Sequence, residues 1–261
     1  KTTATVDYAA TGSTGVSKYV IDSTTGSVTL SQLDALANLE VTGPQADSTF
    51  TAAYKATSTV ATGTQTDVQN LKVTNVGTIN TAAANVASNA KVMTVDIDKV
   101  ETLAITTAGT ANSLDLSASA DVKTVTVTGE GQTEIKAVGT ATTSFDASAA
   151  TGKVIEKLSK AALDSITTVK GGSSDDSLTV VADDLTASAT VAGGAGSDKL
   201  IIGAGAGKTV QLAMTGVETI NVGNVSSDLT FSGTNVSDVA TINVEGLTTA
   251  GADASFVNMK A

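Results

Sequence analysis

The sequence predicts an all-β chain wound as a parallel β-solenoid, β-roll or β-helix in type, with about 21–22 residues per coil. Three observations carry that expectation. A phrase made of an apolar residue, any residue, Thr or Ser, then apolar-x-apolar recurs along the chain. It reads VETLAI from Val100 and VKTVTV from Val122, 22 residues apart; VETINV from Val217 and VATINV from Val239 repeat the interval, with a looser LDSITT from Leu163. Alternating apolar pairs fill in at about half that distance. Two glycine-aspartate turns, GGSSDD from Gly171 and GGAGSD from Gly193, are also 22 residues apart.

Residues 1–95 read as an irregular β-rich N-terminal region, either a small domain of its own or the start of the same solenoid; residues 96–261 are the solenoid proper. In the first region strands are expected at Ser27–Leu30, Leu39–Val41 and Leu71–Val76. Ser31–Asn38 (SQLDALAN) reads as a short helix with Ser31 as its N-cap, and Thr81–Lys91 is Ala-rich enough for another. Gly43–Asp67 is polar, holds the single proline Pro44, and reads as a loop.

From residue 100 the apolar pairs run Leu103/Ile105, Leu114/Leu116, Val125/Val127, Ile135/Ala137 and Phe145/Ala147. A poor one follows near Ile155, then Ile166/Thr168, Leu178/Val180, Ala189/Val191 and Leu200/Ile202. The series closes with Val210/Leu212, Ile220/Val222, Leu229/Phe231 and Ile242/Val244. Such alternation is the mark of a strand with one face buried. Turn residues follow nearly every pair and leave no room for helices. A β-sandwich also places turns at this spacing, but it has no reason to return to the same phrase at 22, which favours the solenoid.

Composition agrees. Apolar residues make up 41% of the 261-residue chain but aromatics only 3%, with no Trp, which suits short, closely stacked strands with small interiors. The net charge is −11 and all 15 basic residues are Lys, so nucleic acid would be repelled and the bidentate base-reading side chain is missing. With no Cys and no His there is no disulfide framework, no thiol chemistry and no imidazole acid-base group or metal ligand. Hard-cation binding through oxygen remains, calcium before magnesium. No apolar run is long enough for a membrane helix, and no signal-peptide pattern opens the chain. It begins at Lys1 without Met, as an excised domain or a matured product would.

The sharpest local signal is GGAGSDKLI at 193–201, which fits the nonapeptide G-G-x-G-x-D-x-(apolar)-x at every specified position; GGSSDDSLT at 171–179 fits with Ser174 in place of the third Gly. Glycines permit the turn, backbone carbonyls converge, and the Asp adds a carboxylate. Calcium takes six to eight oxygens, so two stacked turns can complete a shell that one begins. The expected ligands are Asp176 and Asp198, with Asp175 as an extra, and the carbonyls of Gly171, Gly172, Ser173, Gly193, Gly194 and Ala195. Asp146, Asp183, Asp184, Asp228 and Asp238 are weaker candidates, better read as solvated or turn-capping carboxylates. GAGAGKT at 203–209 is no phosphate loop, because Ile202 stands where the first Gly is required. The sequons at Asn224 and Asn235 are at chance level. No acid-base or nucleophile constellation is present, so an enzyme is not expected.

With GGSSDDSLT, GGAGSDKLI and the strand phrases GVETINV, NSLDLSAS and TSFDASA, roughly residues 95–261 resemble the RTX-type surface-layer proteins of Gram-negative bacteria. The resemblance implies a Cys-free, acidic coat protein that forms calcium-dependent two-dimensional lattices on the outer cell surface after type I secretion. Asp176 and Asp198 match the calcium-binding Asp of the family motif. The implied partners are further copies of the chain, and cell-surface polysaccharide through parts outside it. Two other readings stay open: a calcium-stiffened segment of an RTX adhesin, and the secretion and folding module of an RTX exoprotein.

Overall fold

The computed structural model describes residues 6–11, 15–22, 26–43, 47–56, 58, 60, 66–79, 91–158, 166–181, 185–203, 208–223, 228–245 and 253–259. Among them there is no helix, and the regular elements are all strands. In chain order these are β1 (Val6–Ala9), β2 (Lys18–Asp22), β3 (Val28–Leu33), β4 (Asn38–Thr42), β5 (Ser48–Tyr54), β6 (Val68–Thr74), β7 (Met93–Ile97) and β8 (Thr102–Ala108). Then come β9 (Asn112–Asp115), β10 (Thr124–Gly129), β11 (Thr133–Ile135), β12 (Ser144–Ala150), β13 (Val154–Leu158), β14 (Ile166–Lys170) and β15 (Ser177–Val181). The series ends with β16 (Leu185–Ala192), β17 (Lys199–Gly203), β18 (Lys208–Thr215), β19 (Thr219–Gly223), β20 (Leu229–Val236), β21 (Thr241–Glu245) and β22 (Ala254–Val257).

Odd strands form one 11-stranded sheet and even strands a second, each in strict sequence order. Every pairing is parallel: Leu178 lies beside Leu200 and Leu200 beside Ile220, for example. Each coil therefore lays one strand on each sheet and turns at two edges, the predicted solenoid, and a sandwich of antiparallel strands is excluded. Both sheets continue across residue 95, where β5 pairs with β7 and β6 with β8. The described part of the N-terminal region belongs to the same stack.

Alternation explains why these residues form strands. Burial in β5, STFTAAY, alternates strictly, with Ser48, Phe50, Ala52 and Tyr54 inward, so the expected loop over Gly43–Asp67 contains a strand. The expected helix over Ser31–Asn38 is also corrected. Ser31–Leu33 ends β3, Asn38 opens β4, and Leu33, Ala37 and Leu39 are buried between coils. Pairing with the neighbouring coil overrides a weak helix propensity there. Of Thr81–Lys91 only Lys91 lies within the described residues, and it is not helical. In β14 the register shifts between Ile166 and Thr168, so Val169 rather than Thr168 fills the second inward place.

Parallel sheets are usually covered on both faces and read as continuous apolar runs. Here one face of each sheet meets solvent, and Thr at alternate positions (Thr124 and Thr126 on β10) lets a parallel strand carry a wet face. The core is built of inward ladders, more than one to each sheet. One runs Met93, Leu114, Ile135, Glu156, Leu178, Leu200, Ile220 and Ile242 along the odd sheet. Another runs Leu103, Val125, Phe145, Val169, Val191 and Met214 along the even sheet. Phe50, Phe145 and Phe231 are the largest fully buried side chains, and the low aromatic content follows from how little space two facing sheets leave.

Candidate functional site

The turn GGSSDD leads from β14 into β15, and GGAGSD from β16 into β17. Pairing of Lys170 with Ala192 before the turns and of Ser177 with Lys199 after them fixes both on one edge, one coil apart. Backbone bonds tie the levels together. Gly171 N–H donates to the Ala192 carbonyl (2.8 Å), Ala195 N–H to Gly172 (3.0 Å) and Gly193 N–H to Thr215 (3.0 Å). The fit is close enough that a Cβ on Gly194, whose φ is +113°, would strike the Gly172 carbonyl oxygen.

A column of carboxylates runs up this edge. Val154 N–H donates to Asp176 Oδ1 (2.7 Å), Asp176 N–H to Asp198 Oδ1 (2.7 Å) and Asp198 N–H to Glu218 Oε2 (2.7 Å). Each carboxylate caps the N–H at the same level of the preceding coil, a donor that would otherwise be buried without an acceptor. Asp176 is fully engaged, because its Oδ2 also accepts from Gly172 N–H (2.5 Å). Asp175, exposed beside it, accepts from Ser197 N–H (2.8 Å).

Asp198 differs. It is 1% exposed, and its Oδ2 has no hydrogen-bond partner among the described residues. The space that a Cβ would take on Gly193 is bounded by the Gly216 carbonyl oxygen and by Asp198 Oδ2, 2.7 Å away. A Cβ there would strike the Gly216 carbonyl, so the turn is packed closely around Gly193, and Asp198 Oδ2 is left without an assigned donor among the described residues. Burial raises the Asp198 carboxyl to about 6, with Asp176, Glu218 and Asp175 adding repulsion and the Asp176 N–H pulling the other way. Burial also raises Asp176, against the Val154 and Gly172 N–H groups and Lys153. A buried acceptor without a donor suits either a proton on Oδ2 or a small hard cation. Among the described residues no three acidic side chains converge to hold a metal. A cation here would be held by one carboxylate and, chiefly, backbone carbonyls.

Of the sequence-predicted residues, Asp176, Asp198 and the glycines of both turns are brought together; Asp175 sits on the outer side. Asp146 is elsewhere, on the outer face of β12, paired with Lys170 at 2.7 Å. Asp228 is exposed and accepts from Asp253 N–H (3.1 Å), while Asp238 caps Gly216 N–H (3.1 Å) one level beyond the turns. Asp183 and Asp184 lie outside the described residues. β18 begins at Lys208, where a phosphate loop would open a helix.

Two members of the edge were missed in the sequence: Glu218 and the Gly216 carbonyl. Asp198 to Glu218 is 20 residues rather than 22, since Lys199 pairs with Thr219. The signal was the VETINV phrase itself, whose Glu sits one place before the strand, as Asp198 does. No family model matches the chain, and no curated protein or solved structure matches it either.

Proposed function

We propose that the chain is a structural module of a bacterial surface layer, a scaffold stiffened by calcium that assembles with copies of itself into a two-dimensional lattice. The observation carrying this reading is the buried Asp198 Oδ2, which has no hydrogen-bond partner among the described residues and lies on the edge that bears both nonapeptide turns. Asp198 supplies the charged ligand. Carbonyls of the 193–195 and 216 turns, and water, supply neutral oxygens; Asp176 contributes negative potential while keeping its two backbone bonds. Calcium adds the positive charge that an edge carrying Asp175, Asp176, Asp198 and Glu218 lacks. Sites of low charge count bind calcium at roughly 10⁻⁴–10⁻³ M, the range of extracellular modules. The resemblance to RTX-type surface-layer proteins supports the outer Gram-negative surface as the location and self-association as the role.

A second reading has its own support. Coils that stack in one direction make a rod, which suits a calcium-stiffened stalk in an adhesin. The two separate on assembly: electron microscopy and light scattering with calcium should find ordered sheets that a chelator disperses. Single rods under both conditions would favour the stalk and count against the lattice. Calcium-induced folding without either, in a parent bearing a catalytic domain, would mark a secretion and folding module.

The pH dependence has a definite sign. The folded Asp198 pKa is raised to about 6, so the calcium-free fold keeps a proton that the unfolded chain has lost. Stability in chelator is therefore full below the ordinary Asp range and declines as pH rises toward that value. Calcium must displace the proton, so its affinity should rise roughly tenfold between pH 5 and pH 7.5. Calorimetric titration at the two pH values checks this; equal affinities would remove Asp198 from the site.

A further inference from the structure

The odd-sheet ladder Met93, Leu114, Ile135, Glu156, Leu178, Leu200, Ile220 and Ile242 has one polar member. Glu156 is 0% exposed and points inward from β13, and among the described residues neither of its carboxylate oxygens has a hydrogen-bond partner. It lies beside Ile135 of β11 and Leu178 of β15. Glu134 of β11 is also buried, but it accepts from the Ser113 hydroxyl (2.9 Å) and pairs with Lys136 and Lys157 at 3.6 Å each. Across the core, β12 and β14 bury Phe145, Ala147, Ile166 and Val169, and their Asp146 and Lys170 pair with each other on the outer face. The charged group at the start of β15 is Asp176, buried and held by the Val154 and Gly172 N–H groups, and no cation pairs with Glu156 among the described residues. Burial raises its carboxyl well above the ordinary Glu range.

We propose that Glu156 makes β13 a pH-gated seam: protonated, it lets the stack close between β11 and β15, and ionised, it opens the solenoid there while coils on either side stay shut. An unpaired carboxylate among aliphatic side chains is tolerated only in its neutral form. A solenoid converts that local cost into a local opening, because each coil is held only by its two neighbours. The closed seam keeps a proton that the open one has lost. Its stability is full below the ordinary Glu value and falls as pH rises toward the folded value, so the opening constant grows by up to about tenfold per pH unit across that window. The seam needs no cation.

Hydrogen exchange from pH 5 to pH 9 in chelator tests it, comparing protection factors of β13 and β15 with those of β9 and β19 in the same molecule. In the unsubstituted chain, protection at β13 should fall with pH well beyond any fall at β9 and β19. Glu156→Leu should abolish the extra slope and raise protection at pH 9 above that of the unsubstituted chain. Glu156→Gln should abolish the slope without that gain, and it serves alone if the Leu variant does not fold. A pH-independent β13, or an unchanged slope in Glu156→Gln, would overturn the proposal.

Discussion

Alanine at Gly194 is expected to destabilise the chain by about 3–5 kcal/mol. Two costs combine. A φ of +113° is one that side-chain-bearing residues rarely adopt, and the new Cβ would strike the Gly172 carbonyl of the coil before. The neighbour cannot yield, because that carbonyl accepts from Ala195 N–H and is part of the ladder between levels. For a chain of this length the melting midpoint should fall by roughly 10 °C or more. Ser197→Ala, an exposed change in the same turn, should stay within about 0.5 kcal/mol. Circular-dichroism melts of the two variants in chelator distinguish a steric requirement from general sensitivity of the turn; similar melts would refute the stacking described for Gly194.

Asp176→Ala should cost about 2–5 kcal/mol whether or not calcium is present. Its carboxylate accepts from two buried donors, Val154 N–H and Gly172 N–H, and each loses its acceptor in the variant at about 1–3 kcal/mol. Asp198→Asn is the contrast. Its carbonyl oxygen can still accept from Asp176 N–H, and its amide replaces only the oxygen that has no hydrogen-bond partner among the described residues. Little stability should be lost in chelator. The two Asp residues are equivalent in sequence, 22 apart in matching motifs, yet one serves the backbone and the other is left with an oxygen to offer. Chemical denaturation in chelator should rank the variants Asp176→Ala far below Asp198→Asn; the reverse order would mean that the carboxylate column is misassigned.

Much of the fold was legible because a solenoid writes its geometry into the chain as a period. The 22-residue return of VETINV and of the GG turns places them in register before any coordinates are known. The failures have physical causes. The weak strand near Ile155 is weak because Glu156 takes an inward position, and the defect in the pattern was itself the signal. Thr168 was misread because a register shift in β14 turns Val169 inward, which no fixed alternation anticipates. In β5 the inward Ser48 and Ala52 are too weakly apolar to stand out from a polar loop. Glu218 escaped because its longer side chain serves in a coil two residues shorter. The division of roles between Asp176 and Asp198 depends on hydrogen bonds between coils, which spacing alone does not reveal.

Calcium binding at Asp198, with the locking of the stack that follows, is tested most directly by melting the unsubstituted chain and Asp198→Asn near pH 7.5 in chelator and in excess calcium. At a calcium concentration about a hundredfold above Kd, the unsubstituted chain should gain about 2.7 kcal/mol, a rise of several degrees. Asp198→Asn should melt at the same temperature with and without calcium. An equal calcium-dependent rise in both chains would contradict the account.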